Sequence, residues 1–210
     1  MLNTLKKEFR KFKMPIVTRM IERDKTPYMV LVSTMISLRT KDEVTEEAAE
    51  RLFERADNPR DMLKLSKKEI EELIYPAGFY RNKAKSILNT SRILINRYNG
   101  QVPDNIEDLL GLPGVGRKTA NLVLALSFEK DAICVDTHVH RISNRLGLVD
   151  TKNPEETEYA LMKILPKEWW RIYNDMLVTW GQNICTPVSP FCSKCSIEKY
   201  CPKIGVEKSR

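Results

Sequence analysis

The 210-residue chain carries 35 Lys and Arg against 28 Asp and Glu, for a formal net charge of +7. Its 42% hydrophobic and 30% charged residues exclude a disordered chain, and its length suffices for one core or two smaller ones. No apolar run approaches the roughly 20 residues that cross a bilayer, and the basic excess favours a polyanionic partner without requiring one.

The first stretch, MLNTLKKEFRKFKMPIVTRM, is basic and amphipathic and lacks the apolar core and cleavage site of a secretory signal. It reads as an ordinary first helix. The protein is therefore expected inside the cell, in the cytoplasm or nucleoid if its source is prokaryotic. EVTEEAAERLFERA (43–56) has helical amphipathic spacing and stops at Asp57-Asn58-Pro59. Residues 59–75 hold two short segments, with Ser66 a candidate N-cap before KKEIEEL. In KAKSILNTSRILINRY (83–98), Ala84, Ile87, Leu88, Ser91, Leu94, Ile95 and Tyr98 define one buried helical face. NPEETEYALMKIL begins with Asn153 as cap and Pro154 at the first helical position. No stretch carries hairpin signals for strands, so the expected fold class is all-α.

The most informative pattern lies at about 106–128, IEDLLGLPGVGRKTANLVLALSF. A short helix ending near Leu110 meets a glycine turn, and a longer helix follows. Gly114 and Gly116 permit backbone conformations and close approaches that side chains would block. Amides at the start of the second helix would then face outward, and the helix dipole favours an anion there. Such a turn can grip a phosphate without reading base sequence, or can merely join two packed helices. Val115, Leu122, Val123 and Leu126 are the candidate inner face.

Five cysteines complete the inventory. An odd number without a secretory signal argues against a disulfide framework. Cys134, alone in DAICVD, reads as a core residue. Cys185, Cys192, Cys195 and Cys201 follow C-x6-C-x2-C-x5-C, a local set that suits a metal. On donor chemistry alone, zinc and an iron–sulfur cluster both remain open.

ISLRTKD, GFYRNKA, LPGVGRKTA, VDTHVHR and the cysteine loop occur in this order between residues 36 and 201. In these stretches the chain resembles the endonuclease III family of helix-hairpin-helix DNA glycosylases and abasic-site lyases. The resemblance implies two helical lobes flanking a DNA cleft: a barrel of residues 22–132 containing the hairpin, and a second lobe of residues 1–21 and 133–210. It also implies a [4Fe-4S] cluster on the four cysteines, with Lys194 and Lys199 near phosphates. The expected partner is double-stranded DNA with a damaged base or abasic site, met by a monomer, with no membrane.

By the same resemblance Lys118, in the first turn of the second hairpin helix, is the nucleophile and Asp136 the catalytic carboxylate. A positive helix terminus disfavours an ammonium, which suits an attacking amine; a phosphate contact is the commoner role for a lysine near DNA. The seven residues 129–135 can span about 23 Å, enough to return along a helix of roughly 18 Å. Asp136 also fits as an N-cap, and the two roles are compatible. Asp136 would stabilise charge developing on the sugar while Lys118 attacks C1′, and β-elimination would follow.

Arg39 and Phe79 match the family's gap-filling loops, though Phe79 also suits a core position. Arg39 stands where the family usually has glutamine, and it is expected to contact the orphaned base and bias the enzyme toward guanine opposite the lesion. Gly114, Val115, Gly116, Arg117 and Lys83 are further candidate DNA contacts, as are Lys41, Arg81 and Lys85. His138 is read as structural. His140, which departs from the family's usual apolar or aromatic residue, is a candidate phosphate contact. Two rival readings are an adenine- or mismatch-specific monofunctional glycosylase, which typically lacks the hairpin lysine, and a non-catalytic iron–sulfur DNA-binding module.

Overall fold

In the computed structural model of the chain, residues 1–12, 18 and 26–210 are described, and helices are the only regular structure among them. The all-α expectation holds. The chain divides into two compact units, Ile16–Lys130 and Met1–Pro15 with Asp131–Arg210. The sequence reading put one boundary between 132 and 133; its other boundary, 21/22, lies outside the described residues, as does most of the first stretch beyond Phe12.

The unit Ile16–Lys130 is organised around α2 (Pro27–Ser37). Thr26 starts this helix by accepting from Met29 N at 3.3 Å, with Pro27 in the first turn. Tyr28 and Val30–Ile36 are buried. A helix apolar all round shows no amphipathic period, which is why spacing did not reveal it. Each fully buried Leu, Ile or Met here contributes about 1.5–3 kcal/mol. Around α2 run α3 (Asp42–Phe53), α4 (Pro59–Met62), α5 (Lys67–Ile74), α6 (Tyr80–Tyr98), α7 (Ile106–Leu110) and α8 (Arg117–Ser127), with α3, α6 and α8 packed directly on it. Asn58 stops nothing; it caps α4, accepting from Arg60 N and Asp61 N at 3.0 Å each. Ser66 and Glu69 form a capping box at the start of α5. α6 begins at Tyr80, three residues before the spacing suggested, because Phe79 takes a left-handed conformation (φ 56°) and ends the preceding loop.

In the other unit α1 (Leu2–Phe9) and α9 (Thr137–Arg145) pack on α11 (Trp170–Asn183), α10 (Pro154–Ile164) packs on α9, and the cysteine loop follows α11. Leu5, Phe9, Val139, Ile142, Tyr173 and Trp180 form its core. Asn153 caps α10 through Glu156 N at 2.9 Å, as the sequence suggested. Cys134 is 2% exposed, and its carbonyl accepts from Asn174 Nδ2 at 3.0 Å. No helix among the described residues is long and apolar enough to cross a membrane.

Candidate functional site

The hairpin joins α7 to α8. Asn105 caps α7 by accepting from Asp108 N at 2.9 Å. The turn is tied by Val115 N to Leu112 O at 3.1 Å and by Thr90 Oγ1 to Pro113 O at 3.1 Å. Gly114 has φ +79°, and a Cβ there would meet Ser86 Cβ at 2.9 Å, so both conformation and space demand glycine. Gly116 differs. It is the N-cap of α8 with φ −97° and open space where a Cβ would go, so the fold itself does not require a glycine. No side chain caps α8, whose first turn presents Arg117 and the half-buried Lys118.

Val115 is 7% exposed and its N–H donates to Leu112 O, so its side chain anchors the turn.

Two loops of the same unit carry Arg39 and Phe79. Both residues are left-handed (φ 53° and 56°) and exposed. Phe79 is 60% exposed, which overturns its core alternative, and the Arg39 guanidinium lies 5.5 Å from its ring centre. A Cβ on Gly78 would overlap the Arg39 carbonyl oxygen, so the loops touch backbone to backbone. Gly78 N also donates to Thr40 Oγ1 at 3.1 Å.

Lys83 requires a correction. It is 8% exposed, and its ammonium donates to Ile36 O and Leu38 O at 2.6 Å each and to Thr40 Oγ1 at 2.8 Å. All three N–H groups are used inside the fold, so no donor is left for a phosphate. Burial pushes its pKa down to about 8. Lys41, Arg81 and Lys85 are exposed, as expected of phosphate contacts and equally of solvated charges.

In the other unit, Asp136 is the N-cap of α9, and its Oδ1 accepts from His138 N and Val139 N at 2.9 Å each. The cap fixes the carboxylate relative to the helix. His138 packs against Gly181 of α11, where a Cβ would overlap the imidazole. Its Nδ1 lies 3.1 Å from an Arg141 nitrogen, and that nitrogen donates to Cys185 O at 2.8 Å. Burial holds the Arg141 guanidinium below its usual range, while Cys185 and Asp136 nearby favour its charge. His140 Nδ1 lies 2.7 Å from Thr157 Oγ1, so that nitrogen is held within the fold.

Cys185, Cys192, Cys195 and Cys201 line one cavity, whose other walls include Ile142, Leu146 and Ile197. No three His, Cys, Asp or Glu side chains among the described residues converge as a single ion would need. Four cysteine sulfurs around one cavity are a donor set that suits a thiolate-bound metal group. Trp180 Nε1 is buried without a hydrogen bond of ordinary length, yet it bears on the Cys195 sulfur and favours its ionised form. Arg145 donates to Cys185 Sγ at 3.4 Å, to Thr186 O at 2.7 Å and to Pro187 O at 2.7 Å. As free thiols, Cys195 and Cys201 are pushed up chiefly by burial and further by neighbouring cysteines. The donor set fits a cationic group that would relieve that repulsion.

Arg145, Gly181 and the fixing role of Lys83 escaped the sequence reading. The only available signal for Arg145 was a basic residue four positions after Arg141 on the same helix.

The description "HhH-GPD superfamily base excision DNA repair protein" matches residues 32–167. Endonuclease III of Thermotoga maritima is 50% identical over 179 residues, covering 85% of this chain and 84% of the relative. Longer plant and animal relatives, 44–45% identical, are covered over only 48–63% of their length. Among solved structures, a non-covalent endonuclease III–DNA complex aligns with TM-score 0.86 at 36% identity, over 96% of this chain and 92% of that one. A trapped endonuclease III–DNA covalent intermediate, described as an estranged-adenine complex, aligns with TM-score 0.81 at 39% identity, over 85% and 84%. With the hairpin, the capped aspartate and the cysteine loop all present, the chain belongs to the HhH-GPD superfamily of base excision DNA repair proteins, and within it to the endonuclease III family.

Proposed function

We propose that this base-excision repair enzyme is a bifunctional DNA glycosylase and abasic-site lyase that removes oxidised pyrimidines from duplex DNA. The observation that carries the reading is Lys118 in the first turn of an uncapped helix, directly after a turn that leaves open space at Gly116. A phosphate can approach that turn, and the lysine stands beside it. The trapped covalent complex of a relative supports a nucleophilic route.

The Lys118 amine attacks C1′ of the damaged nucleotide; the glycosidic bond breaks and the base departs with the bonding electrons and takes up a proton. Asp136, held by its cap on α9, stabilises the positive charge that develops on the sugar and assists proton transfer. Ring opening gives an imine between C1′ and Lys118. Loss of the C2′ proton then expels the 3′ phosphate, and water hydrolyses the imine to free the lysine. Neither a phosphate grip nor a structural cap needs a lysine and an aspartate at these two positions specifically, which disfavours a binding module.

Cys185, Cys192, Cys195 and Cys201 would hold a [4Fe-4S] cluster. When bound it supplies a covalent cross-link of the loop. The chain's own residues here orient: Arg145 and Arg141 fasten the loop to α9, the helix that starts at Asp136. The partner is damaged duplex DNA inside the cell, bound by a monomer. Arg39 contacts the base opposite the lesion, with guanine preferred; excision rates opposite A, C, G and T test this, and a pattern unchanged in Arg39→Gln would refute it.

Borohydride trapping on a duplex bearing an oxidised pyrimidine tests the central reading. A covalent complex in wild type and none in Lys118→Gln is expected. Base release without trapping in wild type would make the enzyme monofunctional.

A further inference from the structure

Lys83 carries a charge into a nearly closed site where, among the described residues, no carboxylate is a hydrogen-bond partner. Two of its acceptors, Ile36 O and Leu38 O, belong to the C-terminal end of α2, where carbonyls lack helical partners and the dipole is negative. That end of the helix is a local substitute for a counter-ion. The third acceptor, Thr40 Oγ1, also accepts from Gly78 N. One ammonium, one hydroxyl and one amide therefore join the end of α2, the 38–41 loop and the loop before α6. The bare Gly78 allows the Arg39 carbonyl to lie against it. At the far end of this junction, Arg39 stacks on Phe79.

We propose that Lys83 is a positioning residue that locks the Arg39 and Phe79 loops into one preassembled wedge, so that the two side chains enter the DNA stack as a unit. This rests on the reading that Arg39 and Phe79 fill the space left by an extruded nucleotide. Both residues hold left-handed backbone conformations that non-glycine residues rarely adopt. Such conformations persist where surrounding structure dictates them, and the Lys83–Thr40–Gly78 junction supplies that constraint. Assembling the wedge before DNA arrives means that ordering of the two loops does not weaken binding.

The test uses the full-length, cluster-bearing protein. Lys83→Met removes the ammonium while retaining length. Thr40→Val removes only the shared hydroxyl and guards against a Lys83 variant that fails to fold. Single-turnover base excision from duplex DNA should fall at least about tenfold in Lys83→Met, and less in Thr40→Val, as expected for ångström-scale misplacement. Cleavage of an abasic site in single-stranded DNA, where no base must be extruded, should change by less than about twofold, an assignment that follows from separating extrusion from chemistry. Extrusion read by 2-aminopurine fluorescence beside the lesion should fall with duplex activity. In the wild-type background, Arg39→Ala and Phe79→Ala should be strongly non-additive; in Thr40→Val they should approach additivity. Additive effects in wild type, or equal losses on duplex and single-stranded substrates, would overturn the proposal. If Arg39→Ala and Phe79→Ala were each silent on duplex DNA, the wedge reading itself would fall, an outcome distinct from additive but harmful substitutions.

Discussion

Gly181→Ala is a one-carbon change in α11 that should be felt at the opposite end of two linked contacts. The new Cβ would overlap His138 Nδ1 and lie 2.9 Å from its Cγ and 3.0 Å from an Arg141 nitrogen. Relief to ordinary contact requires the ring to retreat by roughly 1 Å or more, and overpacking of this kind costs about 1–3 kcal/mol. The ring cannot retreat without consequence. Its backbone N–H is held by Asp136 Oδ1, and Arg141 couples it to the Cys185 carbonyl. Urea unfolding of the cluster-loaded protein should show that stability loss, and single-turnover base excision should fall about 10- to 100-fold as Asp136 shifts. His138→Ala removes the obstructing ring. The double variant should therefore be more stable than the sum of the single losses by about 1 kcal/mol or more. Additive losses, or an unmoved His138 in a crystal structure of Gly181→Ala, would refute the reasoning.

Lys83 also makes a pH prediction. Its folded-state pKa of about 8 lies below the ordinary 10.5, so its contribution to stability is fully present above about pH 10.5 and is lost as pH falls through 8. Wild type should therefore gain up to about 3 kcal/mol relative to Lys83→Met between pH 8 and 10.5 in urea titrations; a flat difference would contradict the burial of its charge. In the hairpin, Gly114→Ala should destabilise the fold through its positive φ and Ser86, whereas Gly116→Ala should cost about 1 kcal/mol or less yet weaken duplex binding. Fluorescence anisotropy and thermal melts on both variants separate the two effects, and a Gly116→Ala protein that binds normally would deny the close phosphate approach. Arg145→Met leaves the Thr186 and Pro187 carbonyls without its guanidinium. It should cost a few kcal/mol and hasten bleaching of the visible cluster absorbance in air, and unchanged bleaching would argue against its hold on the loop.

The elements that sequence disclosed were those whose partners lie within a few residues. Ser66 with Glu69, Asn153 with Glu156 and Asp136 with Val139 are three-residue relations, fixed by helix geometry wherever they occur. The glycine turn was legible for the same reason, although only Gly114 proved to be required by the chain. Lys83 was not legible. In sequence it stands among Arg81 and Lys85 as one more basic residue, and its acceptors come from Ile36, Leu38 and Thr40, more than forty positions away. The burial of Val115 was not legible either, since a residue between two glycines of a turn gives no local sign that its amide and side chain hold that turn. The buried α2 was missed because uniform burial erases the periodicity by which helices are recognised.

Lys83 and Arg145 lie in different units yet solve one physical problem alike. Each is a nearly buried cation, and each is satisfied by carbonyl oxygens together with a hydroxyl or a sulfur, with no carboxylate among its hydrogen-bond partners in the described residues. A carboxylate would be the stronger single partner in a low-dielectric site. It would also cancel the charge and, near the surface of a loop proposed to meet DNA, oppose a phosphate. Carbonyl groups supply the hydrogen bonds with dipoles only, so the loop is fixed and its positive potential is retained. Converting Thr40 to Glu would test this trade directly, since it places a carboxylate within reach of Lys83. The loop should remain ordered while duplex affinity falls and the dependence of affinity on salt becomes shallower. An affinity and salt slope equal to wild type would mean that the loop's charge has no part in holding DNA.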